Sequence, residues 1–511
     1  MVKAGGGCCG YGCLAIVSML VLVPAILLYI YMNTLFLLII REQAYIQPGG
    51  EVEKQWANPE VPVYCKFYFY DLINPEGFKQ GERPEFDEVG PFVYREHREK
   101  YDLQYTYDDT LVQYRMDHYF TLDLNASVFD PRLYNITTLN TPLAILLSVE
   151  THEKSETLRD LLNAVVKGLG EVDLIVTKTV DELLWGYDDP IFKLAHQYDK
   201  TLPAQFSLQQ KNLTDDSELW SQIFTGKGDS NLVGVYTHWH EMTKLPYWGS
   251  PQANGINGTD GTLFHTDIQK EERLVAFIDN LFRSGYFVFN NSGDVRGIDT
   301  YRFIIPSVEL NNDTVDPDNK PFFMDGPAGL MNMSALSPLH PPVFMSKPYF
   351  LNAPDDIIDG MVVNNSMVGF PPDIAHHDSF LDVNPLTGAV LNAHKRMQVN
   401  VLVKPEPSHI YDTSILRETY FPVMWVDETA TITPSLASAF KKKIILPMDA
   451  CSIALLALMI LTGCGFTVSV GILLHRKTCA RDAGSQLNHG RWRRNGSVND
   501  AAPNETTTLL Q

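Results

Sequence analysis

Three short stretches bring together side chains that could do chemistry. His238-Trp239-His240-Glu241 offers two imidazoles on one strand face, and His376-His377-Asp378 offers a similar pair. A zinc site needs three or four protein ligands. None stands at a suitable spacing, so no metal is expected at either place. Thr225-Gly226-Lys227-Gly228-Asp229 has the composition of a phosphate loop but not the G-x-x-x-x-G-K-[ST] spacing, and reads as a turn. The sequence holds no G-x-S-x-G, no H-E-x-x-H and no Walker A pattern. No catalytic residue, enzymatic activity or cofactor is therefore expected.

The remaining chemistry is that of modification and sorting. Asn-x-Ser/Thr glycan acceptors begin at Asn125, Asn135, Asn212, Asn257, Asn290, Asn312, Asn332 and Asn364. Cys8, Cys9, Cys13 and Cys479 lie close to apolar runs, where cysteines are either S-palmitoylated or free thiols of a reducing tail. Near the end of the chain Glu505 precedes the pair Leu509-Leu510 by four residues. That is the form of an acidic dileucine signal, which adaptor complexes read in an extended, flexible tail.

Two apolar runs must position these groups. Leu14 to Ile40 holds no charged side chain, and Ala450 to Leu474 is a second such run. A bilayer core takes about 20 apolar residues in helical form. The first run is too long for a signal-peptide core and lacks a small-x-small cleavage site, so it reads as an uncleaved anchor. The expected organisation is a cytosolic tail 1–13, a membrane helix 14–40, a lumenal glycosylated domain 41–443, a second membrane helix 444–474 and a cytosolic tail 475–511 with its sorting signal. Arg476, Lys477, Arg481, Arg491, Arg493 and Arg494 place the C-terminal tail in the cytosol, whereas Lys441-Lys442-Lys443 argue the other way. The eight acceptors decide for a lumenal body.

Composition agrees with a large acidic body. The chain of 511 residues carries 40 basic and 61 acidic side chains, net −21, and setting aside its two basic tails leaves about −25 on the central segment. Nucleic-acid binding requires a basic face and is not expected. Of seven cysteines only Cys65 falls in the body, so no disulfide can form within it. Secreted domains usually have disulfides; a body of this size can bury enough core without them.

Within the body, 61–71, 110–115, 118–124 and 398–403 alternate as strands do. Asn74-Pro75-Glu76-Gly77 reads as a turn, and Gly90-Pro91 as a break between two strands. Cys65 falls at a buried position of the first strand. From 141 to 198 the period becomes helical: Leu158, Leu161, Leu162, Val165, Val166 and Leu169 form a stripe, and 181–187 and 190–198 read as two short helices. The stripe is either core or a face for a partner.

The motifs Asn74-Pro75-Glu76, Glu88-Val89-Gly90-Pro91-Phe92, Thr179 to Tyr187, Ile256-Asn257-Gly258-Thr259-Asp260-Gly261, Ser346 to Phe350, and Asn384 to Gly388 with Lys395 to Asn400 occur in an order that resembles the class B scavenger receptor family over nearly the whole chain. Phe264-His265, Phe421 to Met424 and the terminal dileucine resemble its lysosomal branch. The resemblance implies a mixed α/β, strand-rich lumenal domain with an apical helical bundle, and an apolar tunnel that conducts sterol, fatty acid or anionic phospholipid. It also implies a lysosomal or late endosomal membrane and, in that branch, a lysosomal hydrolase bound at the apical helix that here carries Leu158 to Val166. Homodimers are a further expectation. Plasma-membrane uptake of lipoprotein or particles, and a purely structural membrane glycoprotein, are the alternatives. Two departures stand out. Ala253 occupies a position where the family has a disulfide cysteine, and Phe322 to Leu336 lacks the others. Lys178 stands where the lysosomal branch has a histidine, so a pH-switched release of cargo is not implied for this chain.

Twelve of the fourteen histidines lie between His97 and His409. With a reference pKa of about 6.5, their protonation near pH 5 removes much of the body's negative charge and its self-repulsion. Sedimentation should therefore show tighter self-association at about pH 5 than at pH 7; an unchanged profile would refute this.

Overall fold

The structure, a computed structural model, describes residues 6–152, 168, 172–198, 200, 202–209, 218–312, 317–323, 326–337, 340–363 and 372–494. The chain divides into two units, 39–439 and the paired terminal segments 1–38 and 440–511.

The larger unit is built from β1 (Val63–Leu72), β2 (Glu85–Thr106), β3 (Leu111–Leu122), β4 (Asn135–Leu139), β5 (Ile175–Thr179), β6 (Ser221–Phe224), β7 (Tyr236–His238), β8 (Leu274–Ile278), β9 (Arg283–Asp294), β10 (Asp299–Ile304), β11 (Met331–Asn332), β12 (Val343–Ser346), β13 (Val362–Val363), β14 (Phe380–Val383), β15 (Val390–Val403) and β16 (Thr419–Thr431). Among the described residues, fourteen of them form one sheet with the main order β7-β6-β3-β2-β1-β16-β15-β14-β10-β9-β8, and β4 pairs separately with β5. Nearly every pairing is antiparallel; β13 joins β2 in parallel. This is the strand-rich architecture expected. Helices Thr141–His152, Val180–Trp185 and Pro190–Tyr198 occupy the helical island. The stripe at Leu158, Leu161, Leu162, Val165 and Val166 lies outside the described residues.

The central strands are covered on both faces, so alternate residues of β1 enter apolar layers on either side of the sheet. Cys65, Phe67 and Phe69 of β1 enter one layer with Phe92, Tyr94, Phe120 and Met424, capped by Val180, Leu183 and Leu184 of the short helix. Thr179 and Glu182 close that helix with a reciprocal capping box, the pattern that opens helices most economically. Tyr70, Phe86, Val401, Phe421, Val423 and Trp425 enter a second layer, joined by Leu143 and Leu146 of Thr141–His152.

Two sequence expectations need correction. Gly90-Pro91 does not end a strand: β2 runs through it. Phe67 pairs with Phe92 and Phe69 with Val89, so Gly90 and Pro91 together face Tyr68. A bulge of this kind leaves a residue unpaired, and a proline, lacking an N–H, fits there without costing a ladder bond. In β16 the register also shifts, between Val399 and Asn400, but there Pro422 stays opposite Asn400 and the extra residue is Val423. Asn74-Pro75-Glu76-Gly77 is not a simple turn; Pro75–Lys79 makes one helical turn with proline at its start, where the missing N–H has no partner to lose.

Ala253 is buried in a cluster with Trp248, Phe322, Phe323, Met331 and Met333. Apolar packing therefore fills the region where the resemblance implied covalent bracing. Gly388 has φ +74°, and a Cβ there would stand 2.1 Å from the Phe264 carbonyl oxygen. Only glycine fits that approach.

In the terminal unit, helix Gly6–Gln43 faces helix Leu446–Arg494, which continues from Pro434. Ala15, Ser18, Ala25 and Met32 are buried on the first, and Ser469 on the second, flanked by half-buried Ser452, Leu455, Met459, Thr462, Phe466 and Leu473. The first set repeats at three and seven residues and the second at three and four, a coiled-coil-like seam that mixes small and large side chains. Away from the seam Leu14, Ile16, Leu20, Ile30, Ile453, Ile460 and Leu461 are exposed. Two helices this long and apolar present to their surroundings the surface that a bilayer covers.

Phe421 is fully buried, with its ring 5.0 Å from Phe86 and 5.5 Å from Phe78. Phe421→Ala should destabilise the protein by about 3–5 kcal/mol. Leu133→Ala, at a side chain 78% exposed, should stay within about 0.5 kcal/mol. Denaturant melts of the full chain in detergent measure both; equal effects would contradict the assigned core.

Candidate functional site

The interior carries two polar constructions beside the apolar layers. The first is a belt of buried charge on the face of β1 that also holds Phe67 and Phe69. Glu96, Arg98 and Lys100 alternate along β2, and Arg98 lies opposite His118 of β3. Cys65 lies opposite Glu428, which also faces Lys395 of β15. Arg98 Nε is 2.6 Å from Glu96 Oε1, and its Nη2 is 3.3 Å from Glu428 Oε1. His118 Nε2 stands 2.6 Å from Glu96 Oε1, and the Cys65 thiol donates to Glu96 Oε2 at 3.2 Å. Lys395 Nζ reaches Glu428 at 2.5 Å and Asp279 at 3.9 Å. Lys100 Nζ donates to the Trp56 carbonyl at 3.1 Å and lies 3.4 Å from Asp260.

Four carboxylates thus meet three permanent cations and one imidazole. Burial by itself would raise the Glu96 carboxyl, but Arg98 and then His118 outweigh it and hold the group well below the usual carboxylate range. Burial depresses the Lys100 ammonium against the pull of Asp260. For Lys395 burial acts downward too, yet Glu428 and Asp279 overcome it and raise the group. Burial, aided by Glu96 and Glu428, pushes the Cys65 thiol up. A protonated thiol is neither a good nucleophile nor a good metal ligand. Cys65, Glu96 and Glu428 bring ligand atoms within 4.8 Å of one another, but Arg98 and Lys395 already engage the carboxylates. The cluster is an ion-pair junction.

The second construction threads the other layer. The Gln398 carbonyl accepts from Tyr70 Oη and from the Tyr349 backbone N–H, both at 2.7 Å, while its amide donates to Asn400 Oδ1. Asn400 in turn donates to Ser346 Oγ at 3.0 Å. Glu88 accepts from Tyr349 Oη at 2.5 Å and from Trp425 Nε1 at 2.6 Å, and burial raises its carboxyl against those bonds. Paired in this way, the polar atoms leave the surrounding interior apolar.

Residue spacing did not reveal the belt. Its signal was present in Glu96-His97-Arg98-Glu99-Lys100, whose even positions point inward, and in Lys395 and Asp260 of the motifs quoted above. Lys178, at the partly exposed end of β5, lies 3.9 Å from Glu182 and 4.7 Å over the Tyr187 ring. Asn125, Asn135, Asn257 and Asn290 are exposed, whereas Asn312 and Asn332 are half-buried. Cys13 and Cys479 are exposed. Asn212, Asn364, Glu505, Leu509 and Leu510 lie outside the described residues, and the side chains of Cys8 and Cys9 are not described. His238 lies against the Trp220 ring and His240 against Trp239.

Removing one member of a buried ion pair costs about 3–5 kcal/mol. Glu96→Gln should lose that stability in full at neutral pH and at about pH 5, because a depressed carboxyl contributes everywhere above its unfolded pKa of about 4.3. The gap from the parent should narrow only as pH falls below about 4 toward the folded pKa. Melts across that range test this; a gap already closed at about pH 5 would refute the ion-pair account.

Comparison with known proteins agrees with this architecture. The CD36 family pattern matches residues 15–473. Lysosome membrane protein 2 of Homo sapiens is 34% identical over 411 residues, covering 79% of this chain and 82% of its own. The Mus musculus protein of that name is 32% identical over 448 residues, covering 86% and 90%. Scavenger receptor class B member 1 of Bos taurus is 28% identical over 438 residues, covering 85% and 83%. The match takes in much of both long apolar helices and the whole strand-rich unit between them, and the chain belongs to the CD36 family.

Proposed function

We propose that this protein is a scavenger-type receptor of the lysosomal or late endosomal membrane that binds lipid and conducts it through its strand-rich body. In this reading residues 14–40 and 444–474 are the spans and both tails are cytosolic. The observation that supports it most is the apolar layer around Phe86, Val401, Phe421 and Trp425, which is contiguous with Leu143 and Leu146 of the helical island. Burial in such a layer stabilises a sterol or acyl chain by roughly 25 cal/mol per Å² of apolar surface. The polar thread beside it is internally satisfied and competes little for an apolar ligand.

The remaining expectations fit this topology as proposals. Glycans on exposed Asn125, Asn135, Asn257 and Asn290 need no repacking. Acylation of Cys8, Cys9, Cys13 and Cys479, and adaptor binding through Glu505, Leu509 and Leu510, would act on the cytosolic side. A second reading, sorting of a soluble hydrolase, rests on the stripe from Leu158 to Val166. Its test is Leu162→Asp, which should abolish hydrolase capture while sparing lipid binding.

Trp425 stacks on Tyr68 with ring centroids 4.0 Å apart inside the apolar layer. Brominated stearate added to the full chain in detergent should quench tryptophan emission, and Trp425→Phe should remove part of that quench. Lipid should also co-purify and be seen by mass spectrometry. Absence of both signals would overturn the lipid reading.

A further inference from the structure

One ring nitrogen on β15 stands between two neighbours that ask opposite things of it. His394 Nδ1 lies 3.0 Å from Asp427 Oδ1, 3.1 Å from Asp427 Oδ2 and 3.0 Å from Arg396 Nη2. An ionised carboxylate can only accept, and a guanidinium can only donate. Nδ1 carries either a lone pair or a proton, so it serves one neighbour at a time. A neutral imidazole can keep its proton on Nε2 and accept from Arg396. An imidazolium is protonated on both nitrogens; it donates to Asp427 and meets the guanidinium as a like charge.

Arg396 is buried, and the other arm of its fork fixes the short helix Ile374–His377. Nη1 donates to the Asp378 carbonyl at 2.6 Å and to the Ala375 carbonyl at 3.3 Å. These carbonyls end the helix, where intrahelical donors run out and a cation is favoured. Nε stands 3.4 Å from Asp427 Oδ1 but makes no hydrogen bond. The fork is therefore committed to the imidazole on one side and the helix end on the other.

Lys66 of β1 stands opposite Asp427 in register. Phe380 of β14 stands opposite His394 with its ring 4.8 Å away, and the Arg302 guanidinium of β10 lies over that ring. Lys347 Nζ holds Asp378 Oδ1 at 2.6 Å, which tethers the chain just past the helix. Asp373 and His376 pair with each other at 2.7 Å, so their titration does not tie the helix to the sheet. Burial depresses the His377 imidazole, whose Nδ1 accepts from the Asp373 N–H at 3.0 Å. The His377 ring lies 4.9 Å from Tyr349 and 6.1 Å from Trp425. The helix thus packs over the aromatic end of the apolar layer.

We propose that His394 and Arg396 form an acid-released latch on the helix Ile374–His377. With His394 neutral, Arg396 is held between the imidazole and the helix end. Protonation gives Asp427 to the imidazolium, repels the guanidinium and frees the Asp378 and Ala375 carbonyls. The helix then loosens about Asp378, which Lys347 retains. Histidine is the side chain that changes charge between about pH 5 and 7, the interval a protein crosses on its way to an acidic lumen. For cargo the consequence rests on the lipid reading: in acid the latch uncovers Trp425 and Tyr349 at the edge of the layer.

Hydrogen–deuterium exchange of the full chain in non-ionic detergent, corrected for intrinsic rates, tests the latch. It reads the His377 and Asp378 N–H groups, which bond back to Asp373 and Ile374. In the parent their protection should fall about tenfold or more between about pH 7 and about pH 5, while β15 and β16 stay protected. His394→Asn offers Arg396 an oxygen that does not titrate, and should keep the helix protected throughout. His376→Gln should leave the parent's step in place. Arg396→Lys cannot span both partners and should be poorly protected already at neutral pH. A parent without a step overturns the latch whatever the variants do. So does a step that survives in His394→Asn, a step lost in His376→Gln, or a loss of protection shared with β15 and β16. Parent-like protection of Arg396→Lys at neutral pH overturns the role of the fork. The readout needs no ligand: a missing step leaves the lipid reading standing, and absence of bound lipid leaves the latch standing.

Discussion

Charge buried inside the sheet domain is the constraint on which this body depends. An isolated carboxylate in such an interior would cost several kcal/mol. Glu96, Glu428, Asp260 and Asp279 are therefore met by Arg98, Lys100 and Lys395, with His118 beside Glu96. These partners come from β2, β3, β15, β16 and two turns. The belt can be satisfied only when those elements are in register. A one-residue slip of β2 would turn Glu96, Arg98 and Lys100 outward together. Apolar side chains tolerate approximate neighbours; these do not. The belt accordingly supplies specificity to a sheet whose many apolar strands could pair in other ways.

The same logic separates what the sequence disclosed from what it hid. β1, β15 and the helix Val180–Trp185 were legible because period two and period 3.6 act locally, and Thr179 with Glu182 announces a helix start three residues apart. The two bulges were not, because a proline in a strand is tolerable only through what lies opposite it. Tyr68 stands opposite both Gly90 and Pro91, and Pro422 sits beside the step at which Val423 is the extra residue. The belt was illegible for the same reason. Glu96 and Glu428 are separated by most of the chain and meet through strand pairing alone. Of the candidate site residues, Lys178 was visible as a departure from its motif, while its neighbours Glu182 and Tyr187 come from the helix that follows.

Most motifs that carried the family resemblance turn out to be interior fittings rather than reactive groups. Glu88 ties Tyr349 to Trp425. Asp260 faces Lys100, Gln398 and Asn400 thread the second layer, and Gly388 lets one loop pass another. In this chain these positions hold the scaffold together from within.

One further feature reaches back to biosynthesis. Cys65, the sole thiol between the two long helices, is sealed under the sheet and bonded to Glu96. With no second thiol in the body to join or reshuffle, disulfide chemistry cannot pace its maturation. Its tempo is set by bringing remote strands together, β1 onto β16 above all, a search whose duration grows with the sequence separation of the contacts. The C-terminal strand must leave the ribosome before the N-terminal one acquires its neighbour, and until then β1 remains an open edge for chaperones to guard.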